Sequence, residues 1–189
     1  MARNEAKIKF TAETGEFNDA IKKSNDTMSQ LRAEMKLNET QMKATGASVE
    51  ALENKHKILS NQLAASEDKT AALTQKVNKA AEIFGENSTE VTKLRTQLIN
   101  AQTAEEKLRQ AVAQCANELD EQRAAANQAE TATEKLTNTI EEQQAELSKL
   151  KRDFANAALE YGETSDEARS LASQIDKLST DLKENQKKK

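Results

Sequence analysis

Histidine and cysteine, which commonly act as metal ligands, bases or nucleophiles, are scarce in this chain and lie far apart in the sequence. The chain has one histidine, His56, and one cysteine, Cys115. A zinc site needs several Cys, His or carboxylate ligands, and no other His or Cys lies near His56. No Gly-rich phosphate loop and no nucleophile–base arrangement is present. The sequence therefore predicts no catalytic, cofactor-binding or metal-binding residue, and it indicates a protein that is not an enzyme.

A heptad repeat predicts the helical structure that would position these residues. Positions 17–182 whose number leaves a remainder of 0 (position a) or 3 (position d) on division by seven form a stripe, which we call the seam. Of its 48 positions 36 are apolar, whereas 36% of the whole chain is apolar. Apolar a and d positions are typical of a coiled coil. The sequence predicts an all-α fold, a long, extended heptad-repeat helix.

The strict period requires a partner for the seam. A stripe of period 3.5 drifts by about 20° per heptad on a straight helix and stays on one face only when helices supercoil. Another copy, another protein or a folded-back part of this chain could cover it. Val and Ile at a with Leu at d favour parallel pairs, and Glu118 could meet Arg123 across such a pair. We therefore expect self-association through the seam.

Several seam positions hold polar or reactive side chains. A polar residue such as His56 at position a is typical of a device that fixes register or oligomeric state. Cys115, at position d, is expected to pack as a small hydrophobe. Glu105 would bury a charge unless it pairs or extends to solvent. The remaining positions that weaken the middle of the predicted coil are Gln122, Thr133 and Gln143.

The chain divides into three segments. In residues 1–15, apolar and polar side chains alternate around Ile8 and Phe10, a period of two that is typical of a half-buried strand. Residues 16–186 form the predicted rod. The last three residues, 187–189, are lysines and form a basic tail expected to stay solvated.

Three short stretches interrupt the rod: 45–48, 85–88 and 162–165. The sequence from Phe84 to Glu90 (FGENSTE) parallels that from Tyr161 to Glu167 (YGETSDE). Such runs are typical of helix N-termini: Thr164 and Glu167 fit a capping box, Asn87 and Glu90 a near variant, and Ser48 an N-cap.

These stretches have two interpretations. The last seam position before each stretch and the first one after it are seven positions apart in the sequence. The heptad phase of the seam is therefore unbroken, which favours soft points in a continuous rod. A single Gly costs a helix only about 1 kcal/mol relative to Ala. The alternative is a set of helical hairpins broken at Gly46, Gly85 and Gly162.

Composition excludes several classes of function. The net charge is −4 with both signs interspersed, so no basic stripe indicates nucleic-acid binding. No segment reaches the roughly 18 apolar residues of a membrane span. The N-terminus lacks the apolar stretch of a signal peptide, so we expect the protein to be made in the cytoplasm.

Several runs resemble one protein family. The opening Ile8-Lys9-Phe10-Thr11-Ala12, the run Gln41–Gly46 (QMKATG) and the runs Phe84–Leu94 (FGENSTEVTKL) and Tyr161–Leu171 (YGETSDEARSL) are similar to tail tape measure proteins of long-tailed phages and prophages of Gram-positive bacteria. The resemblance covers nearly the whole chain. Family members are usually longer, so this chain would correspond to their N-terminal coiled-coil region or to a truncated product.

The resemblance implies a function. A tape measure is an extended helical ruler that sets tail length and templates assembly of the tail tube in the virion. The resemblance also implies three partners: the tail tube protein, tail assembly chaperones and tail tip proteins. The 17–182 window would be a rod of roughly 250 Å at the helical rise. The alternative is a cellular coiled-coil scaffold or adaptor, such as a chromosome-organising or cytoskeletal arm.

Overall fold

The chain folds into five α-helices in a computed structural model, which describes the backbone of residues 2–189 and the side chains from residue 4 onward. Met1, the first residue of the predicted strand-like segment, lies outside the described residues. No strand occurs among residues 2–189, so the all-α prediction is confirmed. None of the helices in this range is long and apolar enough to cross a membrane. The helices are α1 (Ala2–Glu13), α2 (Gly15–Thr45), α3 (Val49–Phe84), α4 (Thr89–Tyr161) and α5 (Asp166–Lys188).

The prediction of a strand-like N-terminal segment is wrong, because α1 is helical. At the junction with α2, the backbone N–H and the hydroxyl of Thr14 both donate to the carbonyl oxygen of Phe10, over 3.0 and 2.7 Å. Asn18 N–H in turn donates to the Thr14 carbonyl. A helix satisfies its own backbone groups, whereas a lone strand leaves them unpaired, and α1 also buries Phe10 against Phe84.

Residues 1–123 form one compact unit, and within it the chain reverses twice. Asn38 of α2 donates to the carbonyl of Ala51 in α3 over 3.1 Å, and Lys69 of α3 donates to Asn25 of α2 over 2.8 Å. This order of contacts makes α2 and α3 antiparallel. Similarly, Arg109 of α4 contacts Glu67 of α3 at 3.3 Å, whereas the N-terminal part of α4 packs on the end of α3.

The core of residues 1–123 is built from the seam. Val77 and Ala80 of α3 pack against Val91 and Leu94 of α4, and Phe10 of α1 lies against the same cluster. Helix α3 has neighbours on two sides, since one groove is lined jointly by residues of α2, α3 and α4. Its buried face is correspondingly wider than the seam and includes the off-seam residues Gln62, Ala65 and Ala72.

Residues 124–189 form a second compact unit. It consists of the C-terminal part of α4 and α5, which run antiparallel. Asn185, near the end of α5, donates to the side chain of Gln143 over 3.1 Å. The buried residues of this hairpin, Ile140, Ala168 and Leu182, all lie at position a of the seam.

A single long coiled coil is therefore not confirmed. The helices end at 45–48, 85–88 and 162–165, where soft points were predicted, but the chain folds back there as in the hairpin alternative. Continuous phase is compatible with reversal, because both arms of a hairpin turn the same seam inward.

Candidate functional site

The repeated turn is the most regular feature outside the helices. In the two similar stretches, the Gly85 N–H donates to the Ala81 carbonyl at 2.9 Å, and the Gly162 N–H donates to the Ala158 carbonyl at 3.1 Å. Both glycines have positive φ, 85° and 90°, a conformation that L side chains rarely adopt. Glycine is therefore required at both positions, and the two stretches make the same turn.

Serine hydroxyls begin the helices that follow the turns. Ser88 accepts from the N–H of Val91 at 3.3 Å, and Ser165 accepts from the N–H of Ala168 at 3.2 Å. The cap at Ser48 is confirmed, because its hydroxyl accepts from Ala51 at 3.2 Å. In the other two turns the caps are serines rather than the Asn and Thr residues predicted to begin capping boxes.

Those predicted capping residues, Asn87 and Thr164, each lie one position before the serine that caps the helix. Each turn contains three consecutive side chains that are able to cap a helix. The length of the turn determines which of them does so. In both turns a backbone hydrogen bond of 3.1 Å from the serine N–H to the glycine carbonyl sets that length.

Cys115 lies in the core between α3 and α4. Its side chain is buried, and its Sγ lies 3.7 Å from the Leu52 carbonyl oxygen, to which the thiol donates. Burial raises the pKa of the thiol, an effect that the nearby Lys55 ammonium opposes and the Glu118 carboxylate reinforces. The thiol is thus kept protonated at neutral pH, and a protonated buried thiol packs rather than reacts.

His56 is half-buried at position a of α3. Its backbone carbonyl accepts from the Ser60 hydroxyl at 2.9 Å. Among the described residues, no group of three or more His, Cys, Asp or Glu side chains is placed to hold a metal ion. His56 therefore belongs to no such group.

Glu105, the seam residue predicted to pair or to extend to solvent, does pair. Its carboxylate lies 3.0 Å from the Arg109 guanidinium. Arg109 also contacts Glu67 of α3 at 3.3 Å and Glu106 at 3.3 Å. The hydrogen bond with Glu67 raises the pKa of Arg109, which stays charged in any case.

The other polar seam positions fall into two environments. Gln122 and Thr133 are exposed and lie in a run, 120–135, in which every residue is exposed. This run spans the boundary between the two compact units. Gln143, by contrast, is half-buried and bonded to Asn185. The weak middle of the seam is thus a stretch of α4 without a covering helix.

The charges expected to meet across a parallel pair of copies are instead used within the chain. Glu118 accepts from Lys55 of α3 at 2.9 Å, and Arg123 donates to Glu53 of α3 at 2.7 Å. Antiparallel packing of α4 on α3 engages them without a second copy.

The sequence analysis missed Asn38, a buried polar residue beside the first turn. Its amide donates to the Ala51 carbonyl in the first turn of α3 and lies 3.5 Å from the Met42 sulfur. The signal in the sequence was that Asn38 is a polar residue at position d, one heptad before Thr45. This hydrogen bond ties the end of α2 to the start of α3 and so helps to close the hairpin.

Compared with known proteins, the chain matches no protein-family model, no curated protein and no solved structure.

Proposed function

We propose that this chain is a structural protein of a phage tail, the N-terminal coiled-coil region of a tape measure that sets tail length. The proposal comes from the sequence resemblance stated above. Two of the resembling runs begin at Phe84 and Tyr161 and coincide with the two equivalent turns. Part of the resemblance therefore lies in a turn that this chain repeats, and not only in its helical composition.

The observation that carries the proposal is the phase of the seam. From Met42 to Val49, from Phe84 to Val91 and from Tyr161 to Ala168 the spacing is one heptad each time. A hairpin alone does not need this spacing. A chain that also adopts an extended form does, because its seam would then continue without a break.

In the extended form the seam would lose the cover that the hairpins provide. It would then need cover from a second copy, as the heptad pattern suggests, or from the tail tube protein or the tail assembly chaperones, as the resemblance implies. The cost of opening lies mainly in the buried cluster of Val77, Ala80, Val91 and Leu94, since a turn glycine placed in a helix costs only about 1 kcal/mol.

An in-frame deletion in the phage tests the ruler role. Removing the 77 residues from Gly85 to Tyr161 joins Phe84 directly to Gly162, so one equivalent turn replaces the other and the heptad phase is preserved. If these residues are extended helix in the tail, the tail should shorten by about 115 Å at the helical rise. Negative-stain electron microscopy measures this change.

Duplication of the same segment is the matched control, and it should lengthen the tail by the same amount. Arg152→Asp, an exposed substitution that leaves the length unchanged, should leave tail length unchanged. Tails of normal length in both the deletion and the duplication phage would exclude the ruler role and would leave the scaffold alternative.

A further inference from the structure

The two equivalent turns differ in what covers the aromatic residue that precedes each glycine. Phe84 is half-buried, and its ring centroid lies 5.2 Å from that of Phe10 in α1. Tyr161, its counterpart before the second glycine, is 61% exposed although it occupies position a of the seam. The turn at 162–165 therefore leaves a seam residue exposed, whereas α1 covers the equivalent residue at the turn at 85–88.

The hairpin of residues 124–189, which we call the second hairpin, has a register that is centred on its turn. Gln143 accepts from Asn185 at 3.1 Å, and both residues lie at position d of the seam. Thr164, in the turn, lies three heptads after Gln143 and three heptads before Asn185. Because the seam keeps its phase through the turn, a continuous helix from α4 to α5 would present both residues on one seam.

A second copy of the chain would fit such a continuous helix. If two copies lay antiparallel with their Thr164 residues opposite each other, Gln143 of each copy would lie opposite Asn185 of the other. Every contact across the hairpin would form twice between the copies, because each copy supplies the same residues at the same register. Tyr161 would gain a neighbour, because in a continuous helix it lies on the seam, seven residues before Ala168.

We propose that two copies of the chain exchange α5. In each copy α4 and α5 join into one helix, and α5 of one copy packs against α4 of the other. The exchange keeps the contacts of the hairpin outside the turn, and for this reason such exchange is a low-cost route to a dimer. The pairing is antiparallel, unlike the parallel pairing that the seam residues favour. The proposal shares the continuous seam with the extended form proposed above, but it does not depend on the ruler role.

The turn at 85–88 is not expected to open in the same way, because α1 bridges the two helices that it joins. Phe10 packs against the apolar cluster that α3 and α4 form together. Glu13, at the end of α1, lies 3.0 Å from Lys79 of α3. Straightening that turn would carry α4 away from α1. The second hairpin consists of two helical segments only, so its turn can straighten without such a loss.

A pair of cysteines distinguishes exchange from any other dimer of the full chain. In a Cys115→Ser background, Gln143→Cys with Asn185→Cys places two thiols where side chains now meet across the hairpin. The chain is refolded at high protein concentration, its dimers are isolated by size exclusion, and a short bis-maleimide is added. Exchanged dimers should become covalent dimers in denaturing electrophoresis. A dimer formed without exchange would be cross-linked only within each chain and would run as monomers.

Two double variants of the turns provide a matched comparison. Gly162→Ala with Ser165→Ala removes the positive-φ glycine and the helix cap that favour the turn. It should raise the association constant of the dimer by about tenfold or more, because both substitutions favour a continuous helix. Gly85→Ala with Ser88→Ala makes the same changes at the turn that α1 covers, and it should change the constant by less than about twofold. Sedimentation equilibrium measures both constants.

The fluorescence of Tyr161, the only tyrosine, reports on the turn itself, and acrylamide should quench it less in the dimer than in the monomer. The cysteine pair in the unaltered turn keeps the test valid if the turn variants fail to fold. Absence of a dimer at high concentration, cross-links confined within each chain, or equal dimerisation of the two turn variants would overturn the proposal. These measurements do not involve tail length, so failure of the exchange and failure of the ruler role are distinguishable.

Discussion

Residues 1–123 and 124–189 share a seam and a turn but differ in how fully the seam is buried. The Gly85 and Gly162 turns have the same hydrogen bonds and the same serine cap. Yet the apolar cluster around Val91 is closed, whereas the leucines at position d of the second hairpin remain half-buried. A heptad repeat thus specifies which residues face a neighbouring helix, and the number of neighbours decides how much free energy their burial contributes.

The largest expected effect comes from a charge placed in the seam of each unit. Leu94→Asp should lower the free energy of unfolding by about 4 kcal/mol, because an unpaired carboxylate would be buried. Leu150→Asp should cost about half as much, since water reaches a half-buried side chain and solvates the charge. Urea unfolding followed by circular dichroism measures both.

Intrinsic fluorescence assigns these effects to a unit, because Tyr161 is the only tyrosine and the chain has no tryptophan. Leu150→Asp should shift the fluorescence transition of Tyr161, and the part of the circular-dichroism transition that comes from residues 1–123 should stay largely in place. Arg152→Asp, which is exposed, should change the stability by less than about 0.5 kcal/mol. Equal costs for Leu94→Asp and Leu150→Asp would remove the proposed difference between the units.

Alanine at the turn glycines should have an intermediate effect, similar in the two units. Gly85 has φ 85° and ψ 150°, a region that is essentially restricted to glycine, so Gly85→Ala should cost about 2 kcal/mol. Gly162→Ala should cost about the same, because a Cβ at either position meets open space and only the backbone is strained. Thermal and urea unfolding measure the two values.

Gly15→Ala is the matched control, with an effect of opposite sign. Gly15 lies in α2 with nothing within 4 Å of an added Cβ, so alanine should stabilise the helix by up to about 1 kcal/mol. If Gly162→Ala proved much less costly than Gly85→Ala, the units would differ in their turns as well as in their packing.

The smallest effect concerns charge. Glu118→Gln removes the partner of Lys55 and should cost about 0.5 kcal/mol. Glu146→Gln, at an exposed position four residues after Glu142, should stabilise the second hairpin by a few tenths of a kcal/mol because it relieves like-charge repulsion along the helix. Unfolding in low and high salt checks both, and salt should reduce both effects. A loss of stability in Glu146→Gln would contradict the inferred repulsion between Glu142 and Glu146.

The same ion pair predicts a dependence on pH. The hydrogen bond to Glu118 raises the pKa of Lys55 above its ordinary value of 10.5. A raised pKa in the folded state means that the pair contributes its full stability below about pH 10.5 and loses it as the pH rises through the higher folded value. The Glu118→Gln variant should lack this loss.

Much of the fold could be predicted from the sequence because its causes are local. The buried apolar residues outside α3, such as Leu31, Val91 and Ile140, lie on the seam. Helices α2, α3 and α4 end at the stretches that glycine and capping residues indicate, because such residues act within one turn of helix. The strand-like interpretation of residues around Ile8 and Phe10 failed, because a short alternation is outweighed by the self-contained hydrogen bonding of a helix that continues into α2.

The candidate site was less predictable. Packing of Cys115 as a small buried group could be expected from its d position, and the pairing of Glu105 from its charge. The contact of Cys115 with the Leu52 carbonyl depends on which helix lies alongside and at what register. Glu105, by contrast, pairs with Arg109 four residues later in the same helix. The wide buried face of α3, including Ala65 and Ala72, has no heptad signal, because it arises only where a helix has neighbours on two sides.

The sequence by itself determined that the chain is helical, which stripe of each helix is buried and where the helices end. All three follow from interactions between residues a few positions apart. Only the tertiary structure decided that the chain reverses at Gly46, Gly85 and Gly162. A seam that keeps its phase satisfies both a straight rod and a hairpin, so its period cannot distinguish them. The choice depends on contacts between residues far apart in sequence, such as Asn38 with Ala51 and Gln143 with Asn185.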